Sequence, residues 1–163
     1  MNRLWSPWRE KYILSLKEES KDGCIFCHLK DQEPASDNLV LYKGKLNYIV
    51  MNKFPYNNGH LLIIPYNHFS DITDLSGEES GEMMELLKMS VQVLRNSFSP
   101  QGFNIGSNLG DISGAGIADH IHFHVVPRWS GDTNFMPVIG ETKVISQYME
   151  QGWESLKKTF DSI

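Results

Sequence analysis

The chain has little that would tie it to a membrane, to a nucleic-acid polymer or to an oxidising compartment. No apolar run approaches the ~20 residues needed to cross a bilayer. Lys and Arg number 15 against 20 Asp and Glu, a net charge of −5 with His neutral, so no basic surface is available to coat a nucleic-acid polymer. A single phosphate-bearing small molecule is not excluded, because one phosphate needs only local donors. Only two cysteines occur in 163 residues, Cys24 and Cys27, too few for a disulfide scaffold. Residues 1–11 hold Trp5, Pro7, Trp8, Arg9 and Glu10, with no apolar segment of the kind a signal peptide needs. These absences predict a cytoplasmic chain. Its length predicts one domain over residues 1–163, large enough for a real core.

What is present in excess is histidine, in one place. Three of the six histidines fall within His120-Ile121-His122-Phe123-His124-Val125-Val126-Pro127. Successive side chains of a strand point to opposite faces, so a strand over residues 120–126 would put His120, His122 and His124 on one face. Ile121, Phe123 and Val125 would then face a core, and Pro127, with no N–H for a ladder, would end the strand. A lone histidine is usually a packed core residue. Three in register beside a Gly-rich loop (residues 106–117) make a site, since neutral imidazole is a nucleophile, a proton carrier and a metal ligand.

The remaining pattern frames that strand. Residues 39–42, 47–52, 60–65 and 103–107 read as further strands, with turns at Lys43-Gly44-Lys45 and at Pro55-Tyr56-Asn57-Asn58-Gly59. Ser76-Gly77-Glu78-Glu79 has the form of a capping box. Met83, Leu86, Leu87, Ser90, Leu94 and Phe98 follow at helical spacing, which predicts one amphipathic helix over 77–98. Ile145, Tyr148, Met149, Leu156 and Phe160 predict a second helix near the C-terminus, weakened by Gly152. Adjacent strands with separate helices mean an α+β domain on an antiparallel sheet. An aromatic arm, Trp5-Ser6-Pro7-Trp8-Arg9, precedes it.

Within the triad His122 is flanked by histidines and is the natural nucleophile, with His124 placed to donate to a phosphate oxygen. Backbone amides near Gly114, Ala115, Gly116 and Ile117 suit an anion nest, though a plain glycine turn reads equally well. Cys24-x-x-Cys27 is half of a tetrahedral zinc site. His28, His60, His68 and His120 are the candidates for the other half, and spacing alone does not choose among them. His60 and His68 flank an apolar strand, where a histidine is more often a satisfied core or turn residue. Asn52 and Asn108 are amides at strand ends, suited to hydroxyl or phosphate contacts or to ordinary turns.

These residues resemble the histidine triad family. His120-x-His122-x-His124-Val125-Val126 carries its signature, and Asn52-Lys53-x-Pro55 with Gly59-His60-x-Leu62-x-Ile64-Pro65 is similar to its preceding strand pair. The run Gly114-Ala115-Gly116-Ile117-x-Asp119-His120 looks like the branch that cleaves or phosphorolyses diadenosine tetraphosphate. So do Pro127-Arg128-Trp129-x-Gly131-Asp132-Thr133-Asn134-Phe135, the Trp5–Arg9 arm and Cys24-x-x-Cys27. The chain departs from many triad hydrolases in having Gly116 where they carry Gln, which shifts phosphate contacts to backbone amides.

The resemblance implies a five-stranded antiparallel sheet with one long helix, a C-terminal helical extension and a homodimer. It also implies a covalent nucleotidyl-His122 intermediate on an adenine dinucleotide, passed to phosphate or water. His120 and His124 would complete the catalytic set, with Asn52 on the ribose and Asn108, Gly116 and Ile117 on the phosphate. Ile25, Phe26 and Leu29 would line the base pocket. The related hexose-1-phosphate uridylyltransferases imply a structural zinc on Cys24, Cys27, His68 and His120. A purine nucleoside phosphoramidase is the alternative activity on the same fold. A non-catalytic nucleotide-binding module is the alternative of another class.

Overall fold

The computed structural model describes residues 23–132 and 148–163. The aromatic arm at residues 5–9, the segment 133–135 and Ile145 lie outside the described residues. A short helix, α1 (Ile25–Leu29), leads into strands β1 (Val40–Lys43), β2 (Asn47–Met51) and β3 (Leu61–Pro65). The long helix α2 (Gly77–Phe98) then crosses to β4 (Gly102–Gly106) and β5 (Phe123–Arg128), and α3 (Met149–Phe160) follows. The five strands pair antiparallel in the order β1-β2-β3-β5-β4. The α+β class and the five-stranded sheet are those the sequence led us to expect.

Strand periodicity distributes the apolar residues over two layers. Ile49, Met51, Leu61, Ile63 and Val125 face α2 and α3, where Met83, Leu86, Leu87, Leu94, Leu156 and Phe160 close the main core. Tyr48, Val50, Leu62 and Ile64 face the other way and pack with Phe26 of α1. Because both faces are covered, β2 and β3 are buried along their whole length and read as continuous apolar runs. His124 lies opposite Leu62 in the β3–β5 register, on the α1 face. That assignment puts the histidines beneath α1 and leaves the helical face purely structural.

Helix α2 begins as predicted. Ser76 Oγ accepts from the Glu79 amide at 3.2 Å, and Glu79 Oε2 accepts from the Ser76 amide at 2.8 Å. One turn later Glu82 pins the sheet to the helix. Its carboxylate accepts from the amides of Lys45 (2.6 Å), Leu46 (2.7 Å) and Asn47 (2.7 Å) and from Asn47 Nδ2 (2.9 Å). A Cβ at residue 44 would sit 2.8 Å from the Asn47 carbonyl oxygen and 2.8 Å from Glu82 Oε1, which is why this turn carries Gly44. Burial opposes ionisation of Glu82, but these hydrogen bonds prevail and hold its carboxyl below the usual range. At the far end, Trp153 of α3 donates its indole N–H to the Val40 carbonyl at 3.0 Å.

Two expectations about the triad strand need correction. Strand β5 starts at Phe123, not His120. The Ile121 amide donates to the Phe69 carbonyl at 2.6 Å, outside any ladder, so His120 to His122 form an irregular lead-in with a bend at His120. Nor does Pro127 end the strand: it lies within β5, opposite Phe103 of β4. Its carbonyl accepts from Asn57 Nδ2 at 3.1 Å, so its hydrogen-bonding edge faces the 57–59 turn. Strand β3 starts only at Leu61, opposite Val125, and the proline's missing N–H costs no ladder bond.

Glu82→Ala should orphan three turn amides and lower unfolding free energy by about 1–3 kcal/mol. Urea unfolding tests this: the midpoint should fall with the m-value unchanged.

Candidate active site and metal centre

The cavity on the α1 face has a volume of about 540 Å³. Ile25, Phe26, Leu29, Leu39, Val50, Leu62 and Ile117 give it an apolar end, and His122 and His124 a polar wall. Asn52 and Gly116 also line it. Of the residues the resemblance assigned to nucleotide binding, six therefore share one cavity: Asn52, Gly116, Ile117, Phe26, Ile25 and Leu29. Asn108 is not among the lining residues; it stands half-buried beyond β4. Phe26 is held in place from beneath, since its carbonyl accepts the Tyr48 hydroxyl at 2.7 Å. Its ring lies 5.0 Å from that of His122.

The protonation of each imidazole follows from its partners. His122 Nδ1 is 2.9 Å from the His120 carbonyl, which can only accept, so Nδ1 carries the proton and Nε2 a free lone pair. Ser107 Oγ donates to the His122 carbonyl at 2.8 Å and anchors the same residue's main chain. His60 Nδ1 receives the Tyr56 amide at 3.0 Å, and Asn52 Nδ2 lies 3.2 Å away. The proton of His60 must then be on Nε2, which is 3.0 Å from His124 Nδ1. His124 in turn accepts at Nδ1 and carries its proton on Nε2. That buried Nε2 has no hydrogen-bond partner among the described residues. His122 and His124 both line the cavity on rings 4.9 Å apart at 71°, the first with a free Nε2 lone pair and the second with an Nε2–H enclosed by the protein.

All four buried imidazoles are driven toward the neutral form. Burial lowers the pKa of His122, although its bond to the His120 carbonyl opposes the shift. Burial, with the neighbouring His122, takes His124 to about 4. Burial takes His120 to about 4 against its bond to the Pro65 carbonyl. His60 is held well below its ordinary value by burial and by His124 and His122. His60 is the functional residue that sequence reasoning undervalued. Spacing carries no sign that it meets His124, because that contact crosses from β3 to β5.

Cys24, Cys27, His68 and His120 come together with their ligand atoms all within 4.8 Å of one another. Cys24 Sγ lies 3.3 Å and Cys27 Sγ 3.7 Å from His120 Nδ1, and Cys27 Sγ lies 3.3 Å from His68 Nδ1. A tetrahedral zinc with bonds of ~2.0–2.3 Å has ligand–ligand edges of about 3.3–3.8 Å, so these residues fit one. His120 Nε2 donates to the Pro65 carbonyl at 3.0 Å, which leaves Nδ1 unprotonated toward the two sulfurs, as a ligand must be. His28 and His60, open candidates by spacing, are not in the cluster.

These histidines set an acid limit on stability. The unfolded chain protonates them near 6.5, whereas the folded protein holds His124 neutral down to about 4 and His60 well below its ordinary value. Stability should be full above pH ~6.5 and fall toward pH ~4, each group costing up to about 1.4 kcal/mol per pH unit in that window. Melting temperature should therefore be level above pH ~6.5 and drop steadily from there toward pH ~4; a flat profile across that window would contradict the neutral assignment.

Comparison with known proteins agrees with this geometry. A family model described as HIT domain matches residues 33–131. The AP-4-A phosphorylase of Mycobacterium tuberculosis is 40% identical over 154 residues, 91% of this chain and 79% of that protein. An adenosine 5′-monophosphoramidase of Schizosaccharomyces pombe is 29% identical over 65% of this chain and 74% of its own length. Among solved structures, a Zn-bound histidine triad family protein from Mycobacterium smegmatis matches with a TM-score of 0.68 at 26% identity. It covers 88% of this chain and 96% of its own. The neutral triad at the head of β5, the model match and the 40% identical relative agree: the chain belongs to the HIT domain family.

Proposed function

We propose that the protein transfers an adenylyl group from a diadenosine polyphosphate, diadenosine tetraphosphate in particular, to inorganic phosphate or water. The observation that carries this is the His122 Nε2 lone pair in a cavity that His124 also lines, with the unpartnered His124 Nε2 proton enclosed beside it. In this reading one adenine enters the apolar end at Ile25, Phe26 and Leu29. Asn52 lies at the ribose, and the Gly116 and Ile117 amides lie along the phosphates, without Asn108, which is outside the cavity lining. His122 Nε2 attacks the α-phosphorus, forming the N–P bond as the bond to the bridging oxygen breaks and ATP departs. The His124 N–H donates to the phosphate oxygens that gain charge. Phosphate then attacks the adenylyl-His122, releasing ADP and restoring the lone pair, whereas water would release AMP. The Mycobacterium tuberculosis relative, named a phosphorylase, supports phosphate as acceptor.

Incubation with diadenosine tetraphosphate should yield ADP plus ATP only when phosphate is present. AMP plus ATP in plain buffer would mean water is the acceptor. Absence of cleavage in both would overturn the reading. His122→Asn, which removes the nucleophile, should cut turnover by at least about 10³-fold.

The Schizosaccharomyces pombe relative supports a second reading, hydrolysis of adenosine phosphoramidates through the same His122, with an amine as leaving group. Faster turnover of phosphoramidate than of dinucleotide would select it. A non-catalytic binding module fits less well, since a pure binder has no use for an oriented lone pair beside a donor.

Zinc on Cys24, Cys27, His68 and His120 belongs to the same proposal, supported by the edge lengths and by the Zn-bound relative. Its chemistry there is structural: it neutralises two thiolates and ties α1 to the segment before β5. A cytoplasmic setting keeps both thiols reduced. The homodimer is likewise proposed, with outer strand β4, where Ile105 is 51% exposed, as the available edge. Purified protein should carry about one zinc per chain, and Cys27→Ser should lose it with a lowered melting temperature.

A further inference from the structure

The mechanism above leaves one feature of the cavity unused. Phe54 and Tyr56 line the same cavity as His122 and His124, yet expose 40% and 46% of their surface. They sit on a fixed turn: the Phe54 amide donates to Asn52 Oδ1 at 3.0 Å and the Tyr56 amide to His60 Nδ1 at 3.0 Å. Tyr56 stacks on His124, ring centres 5.6 Å apart at 26°, while Phe26 lies against His122 at 5.0 Å. The cavity therefore runs in the order Phe26, His122, His124, Tyr56. An enclosed apolar compartment lies on the nucleophile's side and an open aromatic surface on the donor's side. Lys53 adds a cation there, its Nζ 5.8 Å from the centre of the Phe54 ring.

We propose that Phe54 and Tyr56 form a stacking ledge for the base of the departing nucleotide, with Lys53 facing its polyphosphate. This rests on the reading of the site given above and deepens it, since it makes the ligand a dinucleotide with a subsite for each base. The first base is buried beside Phe26; the second lies on residues that leave 40% and 46% of their surface exposed. Stacking on an aromatic face is tolerant of base identity, because every base has a π-face. The second nucleoside is thus bound but little discriminated. A four-phosphate chain is flexible enough to turn back from the α-phosphorus onto a surface that begins at His124.

The test compares diadenosine tetraphosphate with adenosine 5′-tetraphosphate, which has the same α-phosphorus and phosphates but no second nucleoside. In Phe54→Ala, KM for the dinucleotide should rise about tenfold with kcat within twofold, as loss of one base–aromatic stack implies. The constants for adenosine tetraphosphate should not move. Replacing the second adenine by guanine or uracil should change kcat/KM of the wild type by less than about threefold. Equal effects of Phe54→Ala on both substrates, or no effect on either, would overturn the ledge. Tyr56→Leu serves as the second variant. Parallel losses on both nucleotides there would mean its ring only packs His124, and a selective loss on the dinucleotide supports the ledge. Should the wild type turn over neither compound, the catalytic reading falls by itself. Equilibrium binding of the same two nucleotides to wild type and Phe54→Ala then decides the ledge, a selective loss of dinucleotide affinity supporting it and equal affinities rejecting it.

Discussion

The chemistry of this site depends on hydrogen bonds that commit one nitrogen of each buried imidazole. A neutral histidine has one donor and one acceptor nitrogen, and a fixed partner at one end decides the other. The His120 carbonyl takes the His122 proton, the Pro65 carbonyl takes that of His120, and the Tyr56 amide donates to His60. From these follow a lone pair at His122 Nε2, a donor at His124 Nε2, and a ligand nitrogen at His120 Nδ1. Burial keeps the rings neutral, and the contacts agree: a charged His60 would place a donor against the Tyr56 amide, and a charged His124 would place one against the His60 Nε2–H.

His120 joins the two halves of the site. Its ring belongs to the Cys24, Cys27 and His68 cluster, and its carbonyl orients His122. Anything that holds the ring also holds the carbonyl, because both belong to one residue in the short lead-in before β5. The cluster lies outside the cavity lining and touches the site only through His120. Helix α1 is shared in the same manner. Its Cys27 faces the cluster, while its Phe26 and Leu29 wall the cavity.

Much of the fold was legible because its signals are local. The capping box at Ser76 and Glu79 and the 3.6-residue spacing of Met83, Leu86, Leu87 and Leu94 specify α2 within a few turns of chain. The short apolar runs of β2 and β3, and the Gly44 and Gly59 turns between strands, mark the hairpins. The triad announced itself through three imidazoles in five residues. The errors arose where local patterns are degenerate. A spacing of two in sequence looks the same whether the chain is laddered or bent, so the irregular lead-in at His120 to His122 looked like strand. Pro127 looked like a terminator because its neighbours' lengths were unknown: β3 begins too late to need its amide.

The sequence by itself determined which groups are available: imidazoles at one density, two thiols one helical turn apart, and glycines where the chain turns tightly. It also determined the periodicities that sort residues between a helical face and a site face. Only the tertiary structure decided which nitrogen of each histidine is free, because that depends on carbonyls and amides brought in from elsewhere. Pro65 and Tyr56 are far from the triad in sequence, and no spacing rule reaches them. The same holds for His60, which the β3–β5 pairing delivers to His124 across 64 residues. Chemical identity is a property of the chain, but proton placement is a property of the contacts, and those exist only once the sheet has closed.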